Sequence, residues 1–341
     1  MILGQMGFLK NLSKKCLVIE MIFYVYMSPE VIQDANNGGP FAMDSLIGIL
    51  RGFIQNCCIL EFEDNRLQKA VFNNVNQLPP SDAKKGIMTL LGVLKKQNRF
   101  IGNLVPNYNV ESINISDVDD QAESKLLDFL LAGKNEMSSV SAKVEAASLG
   151  NYNQSRFESK RSNLASNGRV LQDGELEQSE FLEEVLKKAF IHSKRIEICD
   201  GIFGKKFNDN FEYTFSILFK WLGKVLIEPD SFEKIVIHCE KPEGSTDEYI
   251  KTQLSHLKSK EQSNIKIEIR FYHREEKKSH ALPHDRFIIT DQITLDIGRG
   301  MDFFNKHTKR NRDISIKTAK NEEITNLINR YHHWMLAPVI V

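Results

Sequence analysis

Apolar residues along this chain recur in two rhythms, and the switches between them outline its elements. The run 16–27 (CLVIEMIFYVYM), interrupted by Glu20, predicts a buried first strand. Ser28-Pro29-Glu30 then offers a helix start with proline at the first helical position. Beyond the turn Asn36-Asn37-Gly38-Gly39-Pro40, the apolar positions Met43, Leu46, Ile47, Leu50, Phe53 and Ile54 fall three and four apart, the spacing of one helix face. A short apolar run, Cys58-Ile59-Leu60, follows, and helical spacing returns over 67–75 and 87–94. Residues 1–105 therefore read as a small α/β domain, with 1–15 as a poorly ordered extension.

The next zone, 106–175, is mostly polar. Val118-Asp119-Asp120 opens an expected helix through Leu126, Leu127, Phe129 and Leu130. Residues 138–167 are rich in Ser, Asn and Ala, and the zone ends in the turn-like Gln172-Asp173-Gly174, so it reads as a linker or an arm lying over another domain. The third zone, 176–341, alternates helix and strand. An amphipathic helix (Phe181, Leu182, Val185, Leu186, Phe190) precedes the strand Arg195-Ile196-Glu197-Ile198-Cys199. A long helix over 211–226, a strand at Ile235-Val236-Ile237-His238-Cys239, a helix over 247–257 and an alternating strand over 265–272 follow. Such alternation predicts a layered α/β sheet with parallel pairs. Asp313-Ile314-Ser315-Ile316 reads as a closing strand and 322–331 as a final helix.

Composition narrows the class without naming a function. At 341 residues the chain exceeds one typical domain of about 100–200 residues, so two domains are expected. Hydrophobic residues at 41% and charged residues at 26% are ordinary globular usage and exclude a disordered, collagenous or membrane-embedded chain. The 45 basic side chains balance 45 acidic ones, so any polyanion site has to be a local patch. Cys16, Cys57, Cys58, Cys199 and Cys239 form no CxxC pair and no zinc-finger spacing, which fits reduced thiols in a cytoplasmic protein. The apolar run 16–27 is too short for a membrane span of about 20 residues and lacks a small-residue cleavage site, so it is not read as a signal peptide. The carboxylates Asp34, Asp44, Glu61, Glu63 and Asp64 are of the kind that gathers around Mg²⁺ in PIN-like nucleases. Scattered surface acids explain them more simply, and no metal or other cofactor is expected.

Chemistry concentrates in His284-Asp285-Arg286-Phe287-Ile288-Ile289-Thr290-Asp291, with Gly298 seven residues past Asp291. Residues two apart in a strand share a face, so His284 and Arg286 are expected to point into one cleft while Phe287 and Ile289 point away. An imidazole can attack phosphorus or protonate a leaving oxygen, and a guanidinium grips phosphate oxygens with paired donors. Asp291 is expected beyond the strand end, where it would orient a histidine.

This spacing resembles the H-x-K-x4-D-x6-G motif of the phospholipase D superfamily. Leu282-Pro283-His284-Asp285-Arg286, followed by Ile297-Gly298-Arg299-Gly300-Met301-Asp302-Phe303-Phe304, more closely resembles the phospholipase D-like domain at the C-terminus of MIT-domain proteins. Asp200-Gly201-Ile202-Phe203-Gly204 resembles that family's Asp-Pro-Tyr-Ile turn, and the resemblance covers about residues 180–335. It implies a mixed sheet flanked by helices and one of two activities. Superfamily enzymes cut phosphodiesters without metal through a covalent phosphohistidine, whereas MIT-associated members bind membrane phospholipid without catalysis. Asp291 is present as in the enzymes, but Arg286 replaces their lysine. Arg299 and Met301 stand where the enzymes carry the Ser and Asn of a Gly-Ser-x-Asn block. A superfamily enzyme aims two histidines at one phosphate, so the single motif here implies a homodimer or a degenerate second half around Asp200 and His238.

The expected roles are His284 as nucleophile or acid, Arg286 as phosphate clamp and Asp291 as orienting acid. Gly298, Arg299, Gly300 and Asp302 are expected to bind phosphate, the IGRG turn serving as a backbone nest or Asp302 bracing Arg286 or Arg299. The basic cluster Arg274, Lys277 and Lys278, flanked by His273 and His280, and the patch Lys309, Arg310 and Arg312 beside Lys306 and His307, are expected to track a nucleic-acid backbone or anionic headgroups. His332, His333 and Trp334 read as a packed helix end. The leading reading is a metal-independent phosphodiesterase, a nuclease of prokaryotic defence type working as a cytoplasmic homodimer on nucleic acid, with partner proteins of that defence system unidentified. The alternative is a non-catalytic module that recognises phospholipid headgroups or nucleic-acid phosphate.

Overall fold

The computed structural model describes residues 20–107, 113–141, 143–203, 208–226, 229–241, 247–261, 264–273, 282–332 and 335–341. The first apolar run becomes β1 (Phe23–Met27), buried at every position, and the second becomes β2 (Cys57–Phe62), equally buried. With β3 (Phe100–Leu104), β4 (Phe129–Leu131) and β5 (Glu145–Ala147) they form a parallel sheet in the order β3-β2-β1-β4-β5. Strands covered on both faces are expected to be apolar throughout rather than alternating. The covering helices are α1 (Glu30–Asn37), α2 (Gly39–Asn56), α3 (Arg66–Gln77) and α4 (Asp82–Lys96), each with the apolar stripe that the sequence spacing predicts.

The zone 106–175 departs from its expected role as helix plus linker. Its helix, α5 (Ile115–Gln121), stops early: Leu126 takes a left-handed backbone with φ of 57°, and Phe129-Leu130-Leu131 is the strand β4. The three- and four-residue spacing from Leu126 to Leu130 had mimicked a helix face. α6 (Arg156–Asn167) looks too polar to pack, yet it buries Phe157 and Arg161. The Arg161 guanidinium pairs with Glu158 at 2.7 Å and donates to the carbonyl of Gly52 and the side chain of Asn56. A buried charge is tolerated where it is paired and hydrogen-bonded in this way. α6 thus packs on α2 of the first domain, and the chain leaves it at Gly168, whose φ of 65° suits glycine.

The second sheet begins with β6 (Arg169–Leu171), inside the expected linker. Helix α7 starts as Gln178–Glu180, passes through a π-helical stretch Phe181–Leu186 and ends as Lys187–Phe190. Then come β7 (Arg195–Cys199), α8 (Asp209–Val225), β8 (Lys234–Glu240), α9 (Asp247–Lys260) and β9 (Ile267–Tyr272). The antiparallel half follows: β10 (Phe287–Thr290), β11 (Thr294–Ile297), a small hairpin of β12 (Phe304–Asn305) and β13 (Arg310–Asn311), β14 (Ile314–Ala319), α10 (Asn321–Asn329) and β15 (Val339–Ile340). The sheet order is β15-β9-β8-β7-β10-β11-β14-β6, with β7, β8 and β9 parallel and the others antiparallel to their neighbours. The expected closing strand is thus internal: β14 lies between β11 and β6.

Alternation along β7 to β9 divides this sheet into two unlike faces. Ile196, Ile198, Ile235, Ile237, Ile267 and Ile269 enter the main core. Arg195, Glu197, His238, Arg270 and Tyr272 point to the other face, towards α10. The two domains are joined by a buried charge cluster, in which Lys188 of α7 reaches Glu20 at 2.8 Å and Asp128 at 2.7 Å. The Tyr24 hydroxyl donates to the Lys188 carbonyl at 2.9 Å. Among the described residues no helix is long and apolar enough to cross a membrane.

Candidate functional site

The ends of β7 and β8, the start of β10, the end of β11 and the start of β14 lie at one edge of the second sheet, and this edge gathers most of the motif. Asp200 follows β7 and is 1% exposed. Its Oδ1 accepts the backbone N–H of Ile202 at 2.9 Å and of Phe203 at 3.2 Å, closing the Asp200-Gly201-Ile202 turn. Its Oδ2 accepts the N–H of Met301 at 2.9 Å, from the turn after β11. Arg286, just ahead of β10, brings its Nε to 4.0 Å from Oδ1. Burial raises the Asp200 carboxyl above the ordinary aspartate value, opposed by the N–H groups of Met301 and Ile202 and by Arg286.

The glycine turn packs on this carboxylate. Gly300 has φ of 97°, and a Cβ there would lie 2.5 Å from Asp200 Oδ2 and 3.4 Å from Arg286 Cδ, so only glycine lets the turn approach. Phe303, Phe304 and Phe181 stack beneath it and hold the segment down. Asp302 lies 3.7 Å from Arg299 Nε and accepts from Arg312 Nη1 at 2.8 Å. It braces Arg299, and not Arg286.

His284 and Arg286 share this edge, but not through strand alternation. β10 begins at Phe287, so both lie in the preceding loop, His284 exposed and Arg286 half-buried. Asp291 is not with them. It sits at the opposite end of β10, where its Oδ2 accepts the backbone N–H groups of Lys194 at 2.5 Å and Arg195 at 3.2 Å. Its observed role is to close the start of β7 onto the β10–β11 turn. His238 does not serve as the second histidine of this edge. Its ring is buried on the α10 face, with Nε2 on Glu197 and Nδ1 on Tyr272, both at 2.8 Å.

The basic patches divide likewise. Arg274, Lys277, Lys278 and His280 lie outside the described residues, as do His333 and Trp334. Lys309 is exposed at the start of β13. Arg310 turns away, donating to the Gly174 carbonyl at 2.9 Å and pairing with Glu177 at 3.3 Å. Arg312 belongs to the site through Asp302. Sequence reasoning missed Glu240, which is buried at the same edge and accepts the Leu282 N–H at 3.4 Å. Its position at the end of the alternating β8, one register step beyond Asp200, was the available signal.

The N-terminal carboxylates do not converge. Glu61 is buried and takes the N–H groups of Phe62, Leu67 and Gln68 at the start of α3, Asp64 pairs with Arg66, and Asp34 accepts the Lys134 N–H. Among the described residues no group of three or more His, Cys, Asp or Glu is arranged to hold a metal ion. A cavity of about 530 Å³ lies at the far end of the second sheet beside Asp291, His192 and Lys194, facing β3. The edge around Asp200 is instead distinguished by its chemistry: Arg286, an exposed imidazole and a glycine turn meet beside the buried carboxylates Asp200 and Glu240, with Arg299 and Arg312 on Asp302, and the guanidiniums and turn amides are donors of the kind that hold an oxyanion. Comparison with known proteins adds no relative, since no family model matches the chain and no curated protein is similar to it.

Proposed function

We propose that the edge formed by His284, Arg286 and the 298–302 turn binds the phosphate of a phosphodiester, with nucleic acid as the polymer that carries it. The observation that carries this reading is the convergence of the motif loop and the glycine turn on the Asp200 carboxylate. That anchor fixes Arg286 by charge and fixes the turn by a backbone hydrogen bond. A clamp positioned in this way meets phosphate oxygens without reorganising, which is the condition for useful electrostatic binding. Lys309, exposed ahead of β13, is a further cation available to a polymer backbone. The finer fold reading, a phospholipase D-like domain, belongs to the same proposal and is supported by three parallel strands continued by an antiparallel half that carries the motif.

Turnover is the second reading, favoured by the exposed imidazole beside Arg286. In that reading His284 attacks phosphorus, the leaving oxygen takes its proton from the His284 of a second chain, and water releases the phosphohistidine, so the nuclease is a homodimer. A role in prokaryotic defence, cytoplasmic, with further partner proteins, completes that reading. The remote Asp291 weighs for recognition over turnover, because it cannot orient His284. The test is incubation of the protein with single-stranded DNA, RNA and plasmid, with and without EDTA, beside His284→Ala and Arg286→Ala. Binding that weakens with salt and with Arg286→Ala, without cleavage, is the expected result. EDTA-resistant cleavage lost in His284→Ala would establish turnover. Absence of both binding and cleavage would overturn the proposal.

A further inference from the structure

The polar face of the second sheet encloses a cavity of about 130 Å³ beneath α10, separate from the edge around Asp200. That is room for roughly four waters at about 30 Å³ each, the scale of a tetrahedral oxyanion and far below that of a nucleotide. Arg195 and Glu197 of β7, His238 of β8 and Arg270 and Tyr272 of β9 line it from the sheet, with Asn329 of α10 opposite. These groups form one chain: Arg195 Nη2 lies 3.0 Å from Glu197 Oε1, Glu197 Oε2 lies 2.8 Å from His238 Nε2, and His238 Nδ1 lies 2.8 Å from the Tyr272 hydroxyl.

Two features of this chamber are unexplained by folding alone. Arg195 Nε is a buried donor with no hydrogen-bond partner, a condition that native structures rarely leave without a reason. The lining itself sets two guanidiniums, Arg195 and Arg270, beside one carboxylate, Glu197, which Arg195 already pairs, while Arg270 meets Glu268 at 2.6 Å. We propose that the chamber binds a small tetrahedral oxyanion of phosphate size, held by Arg195 and Arg270 with the Tyr272 hydroxyl as a further donor. Such an anion satisfies the orphaned guanidinium donor.

His238 ties the chamber together: Glu197 sits on its Nε2 and the Tyr272 hydroxyl on its Nδ1, so a hydroxyl that turns to the anion leaves the ring.

The experiment is calorimetric titration of the full chain with inorganic phosphate. Variants are Arg286→Ala, which removes the clamp of the other site, and Arg195→Gln, Arg195→Lys, Arg270→Gln and Tyr272→Phe, each checked for folding by circular dichroism. Expected are retained binding in Arg286→Ala, an affinity about tenfold weaker in the Arg195 and Arg270 variants and a smaller loss in Tyr272→Phe. No phosphate bound by folded Arg286→Ala, or unchanged affinity in folded Arg195→Lys and Arg270→Gln, would overturn the assignment. An adventitious surface anion would show as binding indifferent to all of these changes and would overturn it equally.

Discussion

The Asp200 Oδ2 accepts the backbone N–H of Met301 at 2.9 Å, joining the end of β7 to the turn after β11 across 101 residues of chain. Because Oδ1 holds the Ile202 and Phe203 amides, one buried carboxylate sets the position of both turns and faces Arg286 between them. Asp200→Ala leaves these amides without their acceptor and removes the counter-charge of Arg286. A loss of about 1–3 kcal/mol in urea unfolding is expected, the range for orphaning buried donors, together with weaker nucleic-acid binding. An unchanged unfolding midpoint would show that the turns are held independently of Asp200.

The two glycines of the turn are expected to respond differently to the same substitution. A Cβ at Gly300 meets the Asp200 carboxylate, and its φ of 97° is strained for any other residue. At Gly298 the obstacle is the Ser315 hydroxyl, the end of a side chain that can rotate away. Gly300→Ala should therefore destabilise by about 1–3 kcal/mol, and Gly298→Ala by clearly less. Thermal melts of both variants check the order, and equal losses would contradict the geometry.

Lys188 bridges the two domains across a shared apolar core, buried among Glu20, Asp128 and the Tyr24 ring. Lys188→Met would take the cation from Asp128 and leave Glu20 with the partly exposed Lys160 at 3.9 Å, and removal of one partner from a buried ion cluster costs about 3–5 kcal/mol. Denaturation followed by circular dichroism and by tryptophan fluorescence should show a lower midpoint in both signals. If stability is retained, the carboxylates are neutralised without the lysine.

How far the fold was legible in the sequence follows from which positions are buried on which side. β1, β2, β7, β8, β9 and the helices between them carry strong apolar periods, and they stand where those periods put them. β4, β5 and α6 were obscured because a three-residue strand is too short to show a period, and because α6 turns Arg161 inwards. At the site, the loop and turn motifs fall at one edge of the sheet because both flank strands that pair directly. Spacing misplaced Asp291 for a simple reason: β10 runs away from the edge, so an acid five residues beyond Arg286 lands at its other end. The charge chain from Arg195 to Tyr272 was visible in principle as polar positions two apart in three neighbouring strands. It needed the register of those strands to become one feature.

That chain carries the clearest pH dependence. Burial alone would raise the Glu197 carboxyl, but the His238 hydrogen bond and the charges of His238, Arg195 and Arg270 outweigh it and hold the group below its ordinary value of 4.5. A folded value lowered in this way contributes stability that is fully present above pH 4.5 and is lost as the pH falls through the lowered value. Urea midpoints of the wild type and Glu197→Gln from pH 7 to pH 3 should therefore differ most at the upper end and converge in acid, where the wild-type carboxyl is protonated as well. Curves that stay parallel to the lowest pH would mean that the Glu197 charge adds nothing to the fold, and that His238 is held by Tyr272 alone.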